Sequence, residues 1–408
     1  MNKLGYNKVI NVQFFDYFIP LFMILTPYKV LTTFSNYGII IFLAYFLFFV
    51  FCYKKVNVFI YKPLLFFTIG SSLIYLFNNL RLGIFDISTV NNLINAFLMI
   101  SILSIITSRI NFERFYYFYR NIGFICCVVL IIQSIRLYIF NIPASPIALL
   151  PVNIQDYYFW GDFNGLRPSA FFPEPQAFVS YLLPLFIFSL DKNNYFMTTL
   201  IIISIFLSGS TLGILSIFLI SSFYFFQKKS NLSLGKLFTF LSMFIVFILI
   251  FFSFEIFQDS VEKIFNINFA NDIRLTRGFF IFSSFSFFDL LFGIGDNLMN
   301  YIIANINDVY VRLYLQTESV RLLGYVTTIS GVFIRYGMIL GLYYLYILYA
   351  IYNNFGEELY LKTLIFTIIL LSFGQTLLFN SWFLFYFGIL FGLKKNVNSE
   401  NFIKLRLV

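Results

Sequence analysis

Long apolar runs separated by short polar turns dominate the sequence. A run of about 20 apolar residues is long enough to cross the hydrocarbon core of a membrane as a helix. The pattern therefore predicts an all-α, polytopic integral membrane protein with about 12 transmembrane helices in a single transmembrane domain, 1–408. The runs fall at 13–31, 36–53, 63–80, 88–108, 121–140, 175–190, 195–209, 211–227, 237–256, 327–352, 362–379 and 381–393.

Two of the polar connections are much longer than the others. The first, 141–174, is rich in proline at its start, and the second, 257–326, contains both acidic and basic residues. Within the second, 278–292 is apolar and is followed by the sequence GIGDN at 293–297, a turn signal. This stretch predicts either a helix lying in the membrane interface or a helix buried beneath the loop.

The composition supports the membrane class and removes several kinds of chemistry. Hydrophobic residues make up 60% of the chain and charged residues only 11%, whereas a soluble domain carries roughly a quarter charged residues. The chain has no His, so the commonest general base and the commonest zinc ligand are both missing. The three Cys lie within or at the ends of apolar runs, and no carboxylate cluster has divalent-ion spacing. Neither a metal nor another cofactor is predicted.

The positive charge of the chain is concentrated in alternate turns. The net charge is +9, and cations mark the predicted inner turns at Lys54-Lys55, Arg109–Arg120, Lys192, Lys228-Lys229 and Lys362. Cationic flanks resist translocation, so this distribution predicts cytoplasmic termini and places both long loops on the opposite face of the membrane. The charge is thus explained by topology, and nucleic-acid binding is not predicted.

The segment 167–177, with the sequence RPSAFFPEPQA, is the most informative part of the first long loop. Arg167 and Glu174 lie on either side of a proline-containing stretch that leads into an apolar run. Proline fixes φ and removes backbone donors, so the two charged groups are expected to keep a defined separation. The pattern favours a rigid charged lip at the membrane surface, and a plain surface ion pair between the two residues is the alternative.

This segment resembles the O-antigen polymerase (Wzy) family, within the O-antigen ligase/polymerase superfamily. Three further stretches are similar to the family pattern in order and spacing. They are LSGSTLG at 207–213, Arg274 and Arg277 ahead of Gly293-Ile294-Gly295, and RYGMILG at 335–341. Ligases of the superfamily carry a His just after the second long loop, where this chain reads Tyr325-Val326-Thr327-Thr328, so the polymerase resemblance is the stronger one.

The resemblance implies a membrane glycosyltransferase of the bacterial inner membrane that polymerises polyprenyl-diphosphate-linked repeat units into O antigen or capsule. Its partners would be the lipid-linked donor and acceptor, the lipid bilayer and, as a further candidate, a chain-length regulator. No nucleotide sugar is needed, because the sugar–diphosphate bond of the donor supplies the energy. The alternatives are a flippase that transports lipid-linked oligosaccharide, whose cations would line a central cavity, and a polysaccharide ligase.

The arginines are the candidate groups for stabilising the diphosphate leaving group. Guanidinium groups stay charged and match phosphate oxygens in pairs, so they can hold the charge that develops as the sugar departs. Arg274 and Arg277 would share one face of a helix because they are three residues apart. Together with Arg167 they are predicted to be catalytic, and Arg335 is a candidate substrate-binding residue whose alternative is a membrane-surface anchor.

An acceptor hydroxyl also needs a base or an orienting group. Glu174 is the preferred candidate because it lies beside Arg167 on the lip, although it could instead only position Arg167. Asp272 and Asp296 are weaker candidates. The resemblance adds Ser210, in the Ser-rich turn, as a substrate-binding residue.

Overall fold

The computed structural model describes residues 3–28, 37–52, 56–82, 87–150, 167–227, 277–295, 298–316, 326–355, 358–395 and 400–407. These residues are mostly helical. The helices are α1 (Lys3–Leu25), α2 (Tyr37–Cys52), α3 (Lys62–Leu82), α4 (Ile87–Ile106), α5 (Phe112–Tyr138), α6 (Pro175–Asp191), α7 (Tyr195–Leu207), α8 (Thr211–Gln227), α9 (Arg277–Ser283), α10 (Phe287–Phe292), α11 (Leu298–Ala304), α12 (Val309–Gln316), α13 (Thr328–Phe355), α14 (Leu359–Gly374) and α15 (Ser381–Leu393). The two strands are β1 (Val56–Tyr61) and β2 (Phe402–Leu407).

A helix occupies each of the predicted apolar runs that falls within the described residues, and the run at 237–256 lies outside them. In this part of the chain three helices, α3, α5 and α13, are long and apolar enough to cross a membrane by length and composition. Most of the other predicted runs form shorter apolar helices. The mostly helical fold with apolar helices agrees with the predicted class of membrane protein.

Helix α5 begins well before the apolar run predicted at 121–140. The Asn111 side chain accepts a hydrogen bond from the Arg114 N–H at 3.2 Å and so caps the first turn. Glu113 lies in that turn, where a carboxylate complements the helix dipole. Apolar periodicity detects only the apolar part of a helix, and it therefore missed the polar first turns of α5.

Helix α6 lies at the centre of the core, with almost all of its side chains buried. Pro184 has no N–H to donate to the Ser180 carbonyl four residues earlier. The buried Tyr386 hydroxyl of α15 donates to that carbonyl instead, at 2.5 Å. The Tyr119 hydroxyl of α5 donates to the next carbonyl, that of Tyr181. Hydrogen bonds from two neighbouring helices thus fix α6, and with it the position of its N-terminus.

One end of the bundle, called the strand end, is closed by a two-stranded antiparallel sheet. Val56 lies opposite Leu407, and Tyr61 lies opposite Phe402. The Tyr61 ring packs against those of Phe355 and Phe402, with centroids 5.8 and 5.3 Å apart. The all-α prediction missed this sheet because its strands are far apart in the sequence, so that only the tertiary fold brings them together.

The strand end also carries ion pairs, one formed by the predicted inner cation Lys192 and one by Lys395 near the C-terminus, which is predicted to be cytoplasmic. Lys192 pairs with Glu113, and Lys395 pairs with Glu358 at 2.9 Å. Burial raises the pKa of the Glu358 carboxyl, but hydrogen bonds from Tyr360 and Lys395 outweigh that effect, so its pKa lies below the usual value. Lys192 and Lys395, which the sequence places on the cytoplasmic side, therefore lie at the same end of the fold, and the sidedness of the membrane stays a prediction.

The opposite end, called the loop end, collects the described parts of both long loops. There the Tyr138 hydroxyl at the end of α5 donates to the Leu207 carbonyl at the end of α7, at 3.4 Å. The Thr328 N–H at the start of α13 donates to the Gln375 carbonyl after α14, at 3.0 Å. Hydrogen bonds of this kind align the helix termini, so segments far apart in the sequence form one surface.

The apolar stretch 278–292 forms two helices rather than one, because Ser284 to Ser286 interrupt the helix. In α9 Ile281 is fully buried, whereas Phe287 of α10 is 78% exposed. The Ser286 hydroxyl accepts the Asp289 N–H at 3.2 Å and caps α10. Neither predicted alternative describes the whole stretch: α9 buries only one face, with Phe279 43% exposed on the other, and α10 lies at the surface. Whether α10 lies in a membrane interface stays a prediction.

Candidate functional site

The backbone between Arg167 and Glu174 forms a closed turn. The Ser169 hydroxyl donates to the Phe172 carbonyl at 2.7 Å, and the Phe172 N–H donates back to the Ser169 carbonyl at 3.0 Å. Ala170 has a φ of 53°, a left-handed conformation that this reciprocal pair stabilises. The rigidity predicted for the charged lip from its prolines therefore also has a hydrogen-bonding cause.

Gln133, buried in α5, ties this turn to the preceding loop segment. Its amide oxygen accepts the Ala170 N–H at 2.8 Å, and its Nε2 donates to the Ser145 carbonyl at 2.8 Å. The Ile147 N–H completes the connection by donating to the Ala170 carbonyl, also at 2.8 Å. Sequence reasoning missed Gln133, although a lone amide within an apolar run was a usable signal, since a buried amide needs polar partners.

Arg167 lies along the Ser-rich turn between α7 and α8. A Cβ built on Gly209 would be 3.4 Å from the Arg167 Cδ, and Gly209 itself has a φ of +63°. The Arg167 side chain is half-buried, and its guanidinium group interacts electrostatically with the Tyr138 hydroxyl. Two of the stretches that carry the family resemblance, 167–177 and 207–213, are therefore in direct contact.

Ser210 caps helix α8. Its hydroxyl accepts the Gly213 N–H at 3.3 Å, and its carbonyl accepts the Ile214 N–H at 3.0 Å. The residue is 4% exposed. Ser210 thus has a structural role at the candidate site, and its substrate contact stays a prediction.

Glu174 is exposed and occupies the N-cap position of α6, immediately before Pro175. Its backbone is extended, and its side chain makes no capping hydrogen bond. The carboxylate therefore lies at the positive end of a central helix without being used to cap it. A carboxylate held there is available to accept a proton or to orient a hydroxyl group.

The second long loop packs onto the start of α13 through α9. A Cβ built on Gly278 would be 2.3 Å from both the Cβ and the Oγ of Ser330, so only glycine permits this approach. Arg277 is the first residue of α9, and its backbone is therefore held beside α13. Arg274 lies outside the described residues, as do Asp272 and Asp296.

Two glycines join this loop to a kink in α13. Gly293 and Gly337, called the glycine clasp, have φ and ψ of 72° and −174°, and of 73° and −176°. This region of φ/ψ space is essentially restricted to glycine. A Cβ on Gly293 would be 2.4 Å from the Arg335 carbonyl oxygen, and a Cβ on Gly337 would be 2.1 Å from that of Leu291. Two backbones thus meet without room for a side chain.

The clasp places Arg335 next to the loop sequence GIG. The N–H groups of Ile294 and Gly295 donate to the carbonyls of Ile334 and Arg335, at 2.9 and 3.0 Å. The Arg335 side chain is half-buried. The third and fourth stretches of the resemblance are therefore also in contact with each other.

The C-terminal end of helix α3 contacts α10 and stabilises its position. Arg81 pairs with Asp289 at 2.7 Å and lies 4.9 Å from the centroid of the Phe288 ring. The buried Asn78 amide donates to the Phe292 carbonyl at 3.1 Å. These contacts were not predicted from the sequence, because the partners come from the first and last thirds of the chain.

Between the two halves of the loop end lies a group of uncharged polar side chains, called the polar cluster. Its centre is Gln375, whose Oε1 accepts from the Ser180 hydroxyl at 3.1 Å and from Gln176 Nε2 at 3.3 Å. The Gln375 carbonyl accepts the Thr328 hydroxyl at 2.7 Å. The members of the cluster are Gln176, Ser180, Thr327, Thr328, Ser330 and Gln375.

Compared with protein-family models, with curated proteins and with solved structures, the chain matches none. The functional argument therefore rests on the geometry of the loop end. One half holds Arg167, Glu174 and Ser210 around α6 and α8, and the other holds Arg277 and Arg335 around α13. The polar cluster connects them, because Gln176 follows Glu174 in α6 and Ser330 contacts the residue after Arg277.

Proposed function

We propose that this chain is a membrane glycosyltransferase that polymerises polyprenyl-diphosphate-linked oligosaccharide repeats into surface polysaccharide. In this proposal the bundle crosses a bacterial inner membrane about twelve times, with both termini in the cytoplasm. The loop end then faces away from the cytoplasm. The position of Lys192 and Lys395 together at the strand end supports this orientation.

The observation that carries the proposal is that all of the described candidate residues belong to one end of the fold. Arg167 and Glu174 flank a hydrogen-bonded turn, and Arg335 flanks the glycine clasp. Catalysis by charge stabilisation requires groups that are already in place when charge develops. Both backbones are held by contacts to neighbouring helices, which supplies that preorganisation.

The chemistry needs cations at the diphosphate and an acceptor near the attacking hydroxyl. The leaving diphosphate already carries negative charge, so a strong acid is not required to expel it, and a tighter grip in the transition state accelerates the step. Guanidinium groups provide this grip through paired hydrogen bonds. Glu174 accepts the proton of the attacking hydroxyl, or orients that hydroxyl, from the N-terminus of α6.

Purified protein supplied with lipid-linked repeats and no nucleotide sugar is the direct test. The expected result is a ladder of products that differ by one repeat. Arg167→Lys keeps the charge but loses the paired hydrogen bonds, so the polymerisation rate should fall by at least about tenfold. Arg136→Lys, at an exposed arginine of the same end of the bundle, is the matched control and should leave the rate unchanged.

Gene deletion separates the proposal from its transport alternative. Loss of a polymerase leaves single repeats attached at the cell surface, whereas loss of a flippase removes the exposed glycan. A wild-type protein that gives no ladder with matched substrate, or an Arg167→Lys variant as active as the control, would contradict the proposal.

A further inference from the structure

Within the part of the chain that the structure describes, the polar cluster contains a buried hydrogen-bond donor without a partner. Gln375 is 6% exposed, and its Nε2 has no hydrogen-bond partner among the described residues. Buried side-chain donors are nearly always paired, and an unpaired one destabilises the fold. A donor kept in this state therefore needs an explanation other than packing.

The rest of Gln375 is firmly held, so the free donor is preoriented. The amide oxygen is fixed by Ser180 and Gln176, and the backbone carbonyl by both the N–H and the hydroxyl of Thr328. Ser180 is in turn fixed, because its carbonyl accepts the Tyr386 hydroxyl. The amide cannot turn its N–H toward another partner without losing these bonds.

The chemistry of the cluster selects an uncharged, hydroxyl-bearing ligand. Its side chains are amides and hydroxyls, with no charged group among them, whereas a bound phosphate would favour cations and a bound metal would favour carboxylates. Sugar hydroxyls both donate and accept, so they match a mixed set of amides and hydroxyls. Gln176 is only half-buried and lies two residues from the exposed Glu174, so the cluster begins close to the surface of the loop end, and a sugar would reach the buried Gln375 donor by displacing the side chains that cover it.

We infer that the polar cluster is a sugar subsite, in which the Gln375 Nε2 donates to a hydroxyl or ring oxygen of the repeat unit. The inference rests on the proposed function and assigns separate binding roles to the two groups of residues. The arginines bind the diphosphate, and the cluster binds the adjoining sugar. Ser180 is a positioning residue, because it acts by holding the Gln375 amide.

The test measures binding separately from turnover. The probes are a lipid-free single repeat, released by mild acid from the lipid-diphosphate-linked repeats of the cells that carry this chain, and inorganic pyrophosphate. Titration calorimetry on the detergent-purified full chain gives the affinity for each. Gln375→Met keeps the side-chain volume but removes the donor, and the affinity for the oligosaccharide is expected to fall by about tenfold, with pyrophosphate binding within about twofold of wild type.

Two further variants guard against a loss of folding. Ser180→Ala removes only the hydroxyl that holds the amide, and the oligosaccharide affinity should fall by about threefold while pyrophosphate binding is retained. Thr376→Val, at the half-buried neighbour of Gln375, is the matched control and should change neither affinity.

The outcomes distinguish this inference from the proposed function. Unchanged oligosaccharide binding in Gln375→Met overturns the subsite, even if the product ladder is intact, and so does an equal loss in Thr376→Val. A selective loss in Gln375→Met supports the subsite. If the wild-type protein makes no ladder but shows that selective loss, the proposed reaction fails and the sugar site stands.

Discussion

The glycine clasp yields the sharpest prediction, the effect of Gly337→Ala. A Cβ at this position would be 2.1 Å from the Leu291 carbonyl oxygen, and both atoms belong to backbones that other contacts hold in place. The conformation alone costs about 1–3 kcal/mol when the residue carries a side chain. We therefore expect the GIG segment to separate from α13, with an opening equilibrium that increases roughly 5- to 150-fold.

Amide hydrogen exchange measures this opening directly. The reporters are the N–H groups of Ile294 and Gly295, which donate to carbonyls of α13. They should exchange faster in Gly337→Ala by the same factor, provided that opening and closing are faster than exchange. Because Gly293→Ala breaks the same contact, the double variant should be little worse than either single one.

Gly388→Ala is the matched control for this experiment. Gly388 lies within helix α15, and a Cβ there would be 3.6 Å from its nearest neighbour, Ile106 Cδ1 of α4, which is an ordinary van der Waals distance. Replacing a helical glycine with alanine stabilises by about 0.5–1 kcal/mol, so exchange at Ile294 should not accelerate. If Gly337→Ala left both reporters at wild-type rates, the clasp would not be what holds the loop.

Two more changes test the contacts at each end of the bundle. Gln133→Leu leaves the Ala170 N–H and the Ser145 carbonyl without their partner, which should destabilise the fold by about 1–3 kcal/mol for each buried group. Limited proteolysis of 139–150 should therefore accelerate. An unchanged cleavage rate would contradict the role of Gln133. At the strand end, Glu358→Gln should lower the thermal midpoint at neutral pH. The Glu358 pKa lies below its usual 4.5 in the folded protein. The stabilisation from the ionised Glu358 is therefore present above pH 4.5 and disappears as the pH falls through the folded pKa. A difference in thermal midpoint between variant and wild type that persists at lower pH would contradict the ion pair with Lys395.

The sequence by itself determined where the long apolar helices lie, but not the short helices of the second long loop. Apolar runs predicted the long helices because a long apolar segment avoids water, either in lipid or against other helices, and this does not depend on which segments it packs against. Local signals also set the start of α6 at Pro175, where proline suits the first helical position. The alternation of the turns also placed Lys192 and Lys395 on one side, and both lie at the strand end.

Local patterns described the candidate site only in part. They singled out Arg167, Glu174 and Arg335, because charged residues are conspicuous beside apolar runs. They missed Gln133 and Gln375, since an isolated amide carries no periodic signal and its role depends on which carbonyls and hydroxyls the fold brings to it.

Tertiary structure alone decided which segments meet. The pairing of β1 with β2, the approach of Gly293 to Gly337 and the contact of Gly278 with Ser330 each join residues far apart in the chain. Such contacts depend on the simultaneous packing of several helices, and a glycine records only that some close approach occurs, without naming its partner. The sequence therefore predicts the apolar helices of this protein, and the packing of all its elements creates the surface at the loop end.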